Sequence, residues 1–227
     1  MNKALPLAVF DWNGTLLDDV NAWVEGCNAA LSVFNHPARD VAAWRELYTC
    51  PIIHSYEKAG VSIDEYLEKS DEANTAFYDA YVAAMRSGYK LRQGAEALLD
   101  NLKKAGYHIT ILSNHHHDLL GCEIVSAGIV EYFDHICGNL SGDDITHKLT
   151  KQERLARHMS TFEVDLSRSF IIGDSHEEPY VARALGLRSV AINGGYVSSK
   201  RLAAARPDVH IDALSGLLSG LEAFPTG

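Results

Sequence analysis

Asp11 ends an apolar run, Leu5 to Phe10, that reads as a short buried strand. Gly14 and Thr15 follow, where a tight turn and small side chains let backbone N–H groups face an anion. Ser113 and Asn114 end a second such run, His108 to Leu112, and Gly173 and Asp174 end a third, Ser169 to Ile172. A lysine, Lys148 or Lys151, lies in or just past the loop before a helix expected over Thr150 to Met159. A carboxylate at a strand end can attack phosphorus or hold a cation. Hydroxyl and amide donors can take up phosphoryl oxygens, and a fixed ammonium can neutralise them. Each feature alone has a plainer reading. One Asp after one strand commonly begins a turn, Ser-Asn commonly caps a helix, a lone Lys is commonly solvated, and Glu177 with Glu178 suits a helix start. Their repetition after successive strands favours phosphoryl transfer through an aspartyl phosphate with Mg²⁺, which prefers a few carboxylate oxygens plus waters and substrate phosphate.

Parallel strands must bring these positions to one edge of a sheet, and the pattern supplies them. From Gly94 onward strand and helix alternate: a helix over Ala95 to Ala105, strands at His108 to Leu112, His135 to Cys137, Ser169 to Ile172 and Ser189 to Ile192, and helices between them. Val209 to Ile211 reads as an edge strand, and Leu214 to Ala223 as a closing helix. This alternation predicts an α/β fold with a doubly wound parallel sheet. The stretch from Asp18 to Gln93 breaks it, being nearly all helical with no strand signal, and Ser62 to Arg86 reads as one long helix or two. The expected organisation is a core of residues 1–17 and 94–227 with a helical subdomain, residues 18–93, inserted into it. The run His115-His116-His117 reads chiefly as a polar helix start, because adjacent residues on a helix point different ways and ligate one ion poorly.

With 227 residues, 47% of them hydrophobic, the chain has enough material for one large core. Its formal net charge of −10 argues against nucleic acid or an anionic membrane as a partner, so a phosphate site must be locally cationic. No apolar run reaches the ~20 residues that span a bilayer. Cys27, Cys50, Cys122 and Cys137 form no CxxC pair and suit reduced thiols in a cytoplasmic protein. A monomer or homodimer acting on a small phosphorylated metabolite is expected.

The four segments Asp11-Trp12-Asn13-Gly14-Thr15-Leu16, Ile111-Leu112-Ser113-Asn114, a Lys near His147, and Ile172-Gly173-Asp174-Ser175-His176-Glu177-Glu178 together resemble the haloacid dehalogenase-like superfamily, in its phosphatase branch with a helical cap. The resemblance spans nearly the whole chain and is closest to phosphoglycolate phosphatases. It implies Asp11 as nucleophile and Mg²⁺ ligand, the backbone carbonyl of Asn13 as a second ligand, and Asp174 as a third. Gly14, Thr15, Ser113 and Asn114 would contact phosphate. Lys148 would neutralise it, and Glu178 would orient the metal's water shell. Lys148 is preferred over Lys151 because a cation in a helix's first turn is opposed by the dipole.

Two residues depart from the family pattern. Glu178 stands where Asp is usual and keeps the charge. Asn13 stands where the family has the Asp that protonates the leaving group and then activates water. An amide cannot carry that proton, and the loss is worth roughly 10²–10⁴-fold. An activated leaving group, a nearby His115, His116, His117 or His176, or deamidation at Asn13-Gly14 would each offset it. The alternatives are a phosphometabolite-binding or regulatory protein on the same fold, and phosphonate hydrolysis with a cap lysine such as Lys58.

Overall fold

A computed structural model describes residues 4–139 and 150–217. The leading strand, β1 (Leu7–Phe10), has no exposed surface. Burial on both faces explains why it reads as a continuous apolar run rather than an alternating one. A run of five helices follows β1: α1 (Val20–Val33), α2 (Val41–Leu47), α3 (Ile53–Ala59), α4 (Ile63–Glu68) and α5 (Ser70–Ala84). The stretch expected as one helix or two is two, parted at Lys69. Then come α6 (Ala95–Lys104), β2 (His108–His116), α7 (His117–Ser126), β3 (His135–Asn139), α8 (Lys151–Met159), β4 (Phe170–Gly173), α9 (Glu177–Leu185), β5 (Arg188–Ile192), α10 (Ser199–Ala204) and β6 (Val209–Ile211).

The strands form one six-stranded sheet in the order β3-β2-β1-β4-β5-β6, every neighbouring pair parallel. Successive strand residues face opposite sides. Leu7, Val9, Leu112 and Ile171 pack with Leu155 of α8 and Val181 of α9. Ala8, Phe10, Ile109, Ile111 and Ile172 pack on the other side with Leu98, Leu99 and Leu102 of α6 and with Leu120 and Ile124 of α7. The result is the doubly wound α/β architecture, with helices on both faces. Strand order reverses at β1, so the crevice beyond β1 and β4 is where a ligand belongs in such a sheet.

Three local features differ from the expectation. β2 runs on to His116, with an irregularity between Leu112 and His116, because Asn139 of β3 extends the ladder to that residue. Ser113 and Asn114 therefore sit in a distorted strand, and only His117 of the histidine run is helical. The short α10 was not expected. Most of the closing helix expected over Leu214 to Ala223 lies outside the described residues.

The helical insertion is entered and left through a pair of adjacent chain segments. Asp18 N–H donates to the Lys90 carbonyl (2.8 Å), Arg92 N–H donates to the Leu16 carbonyl (2.8 Å), and Leu17 pairs antiparallel with Leu91. No described helix is long and apolar enough to cross a membrane.

Candidate active site

The β1–α1 turn is fixed by its neighbours. Gly14 has φ +69°, and a Cβ there would come within 2.5 Å of the Asp174 carboxylate. A Cβ on Gly195, after β5, would overlap the same carboxylate. Asp174 thus lies in a slot between two glycines. Its Oδ1 accepts from Thr15 Oγ1 (2.9 Å) and its Oδ2 from the Tyr196 backbone N–H (2.5 Å). Arg92 ties the slot together, donating to the carbonyls of Gly14 (2.8 Å) and Asn193 (2.6 Å).

Asp11 leaves β1 directly beside Asp174, since its N–H donates to the Ile172 carbonyl of β4 (2.9 Å). Its side chain is 12% exposed and lines a cavity of about 690 Å³ between the sheet edge and the helical insertion. Asp11 Oδ1 accepts from the Trp12 N–H (2.8 Å) and Oδ2 from Lys151 Nζ (3.0 Å). Lys151 also donates to Glu178 Oε1 (2.7 Å) and lies 3.9 Å from Glu177 Oε2.

Among the described residues the lysine at Asp11 is therefore Lys151, the second of the two candidates; Lys148, the preferred one, lies outside the described residues. The dipole argument misjudged the balance. A cation at a helix start loses about 0.3–1 kcal/mol, whereas a charged hydrogen bond contributes about 1.5–3 kcal/mol, and Lys151 makes two. Thr150 caps α8 through a reciprocal bond pair with Glu153, which fixes where the lysine departs from the helix. Glu178, expected at the metal's water shell, is committed otherwise. Its Oε1 holds Lys151, and its Oε2 accepts from Ser175 N–H (3.2 Å) and Oγ (2.8 Å). It positions the ammonium.

Asp11, Glu177 and Glu178 crowd round this one ammonium, and Asp174 feels the charge of Asp11. Burial raises the Asp11 pKa to about 6; Lys151 lowers it and Glu178 raises it. Burial, then the charge of Asp11, raises Asp174 to about 7. Burial acts on Glu178 too, but Lys151 outweighs it and the pKa falls below the usual range. Burial disfavours the charge of Lys151, and the carboxylates more than reverse that. Two carboxylates held back from ionising by burial and by neighbouring carboxylates are a setting that a divalent cation would relieve. Among the described residues no three acidic, His or Cys side chains converge as a ready cage. Two carboxylate oxygens alone suit an ion such as Mg²⁺ that keeps several waters.

Ser113 is 2% exposed and lines the cavity; its Oγ accepts from the His115 N–H (3.1 Å), and its own proton has no acceptor among the described residues. Asn114 lines the cavity as well, but its side chain is bound on both ends, donating to Glu177 Oε2 (2.8 Å) and accepting from Arg154 (3.0 Å).

Asn13 also lines the cavity, and its amide donates to Asp19 Oδ2 (2.8 Å) and to the Tyr81 hydroxyl (3.3 Å). Asp19, 1% exposed, further accepts from Gly14 N–H (2.8 Å), Tyr81 O–H (2.9 Å) and Tyr196 O–H (2.6 Å). Deamidation of Asn13 needs the Gly14 nitrogen to attack the Asn13 side chain, and that N–H is held by Asp19. Of the four histidines offered as substitutes, His115 lines the cavity, its Nε2 3.1 Å from buried Glu123. His116, His117 and His176 do not line it, and Lys58 is exposed on α3.

Asp19, Gly195, Tyr196 and Arg92 were missed in the sequence. Asp19 stands only as the residue before α1 in the sequence, and its partners lie as far as 177 residues away. The Asn193-Gly194-Gly195 turn at a strand end was the one available signal.

Residues 8–192 match the family described as haloacid dehalogenase-like hydrolase. A phosphoglycolate phosphatase of Pseudomonas fluorescens is 27% identical over 94% of this chain and 79% of its own length. The probable phosphatase IndB of Dickeya dadantii is 26% identical over 96% and 94%. Among solved structures, a haloacid dehalogenase-like family hydrolase from Streptococcus pneumoniae superposes with a TM-score of 0.76, at 21% identity, covering 95% of this chain and 98% of that one.

Proposed function

From the premise that this chain belongs to the haloacid dehalogenase-like hydrolases, we propose that it is a Mg²⁺-dependent phosphatase acting on a small phosphorylated metabolite through an aspartyl phosphate on Asp11. The observation that carries this reading is the Asp11 carboxylate at the end of β1, open to the cavity and held by Lys151 at 3.0 Å, with Asp174 in the glycine slot beside it. Relatives that bear phosphatase names support it.

Asp11 Oδ attacks phosphorus, and the bond from phosphorus to the leaving oxygen breaks. Lys151 offsets the charge on Asp11 and on the phosphoryl group, and the Ser113 hydroxyl donates to a phosphoryl oxygen. Water then attacks phosphorus, frees Asp11 and releases phosphate. Asp11, Asp174 and the backbone carbonyl of Asn13 would hold Mg²⁺, which supplies positive charge where the phosphoryl oxygens gather. The helices from α1 to α5 act as a cap that walls the cavity and limits water.

The test is hydrolysis of 4-nitrophenyl phosphate with and without Mg²⁺. Wild type should turn over with the metal, and Asp11→Asn should lose at least about 10⁴-fold while keeping its circular dichroism. Equal activity in wild type and Asp11→Asn would overturn the reading. The binding-protein alternative draws on Asn13, whose amide is locked to Asp19 and Tyr81. Wild type inert beside an active Asn13→Asp would favour it.

A further inference from the structure

We propose that the natural substrate is an aryl phosphate, the phosphate monoester of a phenol. The inference rests on the phosphatase reading above and deepens it. Two independent observations point to it, one about the leaving group and one about the cavity.

The first is Asn13. Its Nδ2 donates to Asp19 and Tyr81, and no proton for the leaving oxygen can come from an amide. An aliphatic alkoxide has a conjugate acid near that of water, about 15.7, and needs such a proton. A phenolate has a conjugate acid near 10, as tyrosine does, and can leave without one.

The second is the lining. Trp23, Tyr48 and Tyr196 make one wall, with Trp23 stacked on Tyr196 (ring centroids 4.3 Å apart, planes at 14°) and Tyr48 edge-on to both. Phe77, Tyr78 and Tyr81 of α5 also line the cavity, Phe77 stacked on Tyr81. A space of about 690 Å³ far exceeds a two-carbon acid phosphate and suits a flat apolar group. Among the described lining residues Lys151 is the one Lys or Arg, and it is bound to Asp11 and Glu178. A carboxylate on the leaving group, as in phosphoglycolate, finds no free Lys or Arg among the described lining residues.

The balance is complete without a proton donor in the first step. Asp11 forms the new bond to phosphorus, the bond from phosphorus to the aryl oxygen breaks, and the electron pair leaves on the aryloxide. Water then cleaves the aspartyl phosphate, and its proton ends on the aryloxide through solvent. The products are one phenol and one hydrogen phosphate.

The experiment compares kcat/KM for 4-nitrophenyl, phenyl and benzyl phosphate and for phosphoglycolate, with Mg²⁺, in wild type, Asn13→Asp, Tyr78→Ala and His115→Asn. Benzyl phosphate carries the ring but leaves as an alkoxide, so it separates the two arguments. Wild type should prefer phenyl over benzyl phosphate and over phosphoglycolate by about 10²–10⁴-fold, the contribution of a general acid. Asn13→Asp should shrink the preference for phenyl over benzyl. Tyr78 is 45% exposed, so its loss spares the fold; Tyr78→Ala should raise KM for phenyl phosphate several-fold, and by more than it raises KM for phosphoglycolate. Wild type cleaving benzyl phosphate or phosphoglycolate as well as phenyl phosphate overturns the aryl proposal and leaves the phosphatase standing. If His115→Asn then abolishes the alkyl activity alone, His115 is the acid and the proposal is again overturned. Wild type and Asn13→Asp inert on all four esters would sink the phosphatase reading, and this one with it.

Discussion

Asp11 and Asp19 bracket one turn, and the protein keeps each by opposite means. Asp11 meets a cation, Lys151, and shows 12% of its side chain to the cavity. Asp19 is 1% exposed and meets only neutral donors: the backbone of Gly14, the amide of Asn13 and the hydroxyls of Tyr81 and Tyr196. Burial raises the pKa of both, and for Asp19 the four donors pull the other way. A carboxylate answered by a full charge and open on one side is equipped to react. One answered by fixed dipoles from the turn, from α5 and from the loop after β5 is equipped to join parts together. Asn13 stands between the two, and its amide is spent on the second.

The largest effect should come from taking the cation from Asp11. Lys151→Ala leaves Asp11 and Glu178 as buried charges without a partner, and breaking such a pair costs about 3–5 kcal/mol. Urea unfolding should show that loss, and phosphatase activity should vanish with it. Added Mg²⁺ should recover part of the stability but little of the activity. A Lys151→Ala protein as stable as wild type would mean that Asp11 is not held by charge, and the contrast with Asp19 would fail.

Asp19→Ala should follow closely. It takes the acceptor from the Gly14 N–H and from the hydroxyls of Tyr81 and Tyr196, and a buried donor left without an acceptor costs about 1–3 kcal/mol. Asp19→Asn should be milder, since one carbonyl oxygen remains to accept. If Asp19 only joins parts, these losses appear in the unfolding midpoint, and kcat for a 4-nitrophenyl ester changes less than tenfold. A far larger fall in kcat at unchanged stability would make Asp19 part of the chemistry.

Asn13→Asp tests the residue between them. It sets a second carboxylate 2.8 Å from Asp19 where an amide now donates. Like charges in so buried a place should lower stability by about 1–3 kcal/mol, measured by thermal unfolding. Asp19→Asn placed on top of Asn13→Asp should restore much of that loss, a coupling that a double-mutant cycle reads directly. Additive changes would show that the two side chains do not sense each other.

How far this was legible follows from the reach of each interaction. Strand ends at Asp11 and Asp174 were visible because each closes a short buried run, and the register between β1 and β4 then sets them side by side. Lys151 was visible as a candidate and misjudged, because a local force, the helix dipole, was weighed without the carboxylates 27 and 140 residues away. Asp19 looked like an ordinary acid at a helix start. Its meaning depends on Tyr81 and Tyr196, 62 and 177 residues away, and no spacing within the sequence reports that. Trp23, Tyr48, Tyr78 and Tyr81 face the cavity, and no spacing within the sequence reports that, since it depends on how α1, α2 and α5 pack over the sheet edge. Trp12, by contrast, is wholly buried, with its indole N–H on Glu123.

The smallest and sharpest test is Tyr81→Phe. Tyr81 gives Asp19 one hydrogen bond of 2.9 Å and stacks its ring on Phe77, with centroids 5.8 Å apart. The substitution removes the hydroxyl and keeps the ring. Asp19 Oδ2 retains Asn13 and Tyr196, so no charge is left without a partner. Stability should fall by about 1 kcal/mol, the ordinary worth of one hydrogen bond. Tyr196→Phe should cost more, because its 2.6 Å bond to Asp19 is the shorter of the two phenol bonds and ties the loop after β5 to the turn. Since Tyr81 rides on α5 while Asp19 and Tyr196 flank the core, the lost bond loosens the cap. KM for an aryl ester should therefore rise while the unfolding midpoint falls by only about 2–4 °C. A drop in stability as large as that of Asp19→Ala would show that Asp19 depends on one partner, and its network of neutral donors would be no network.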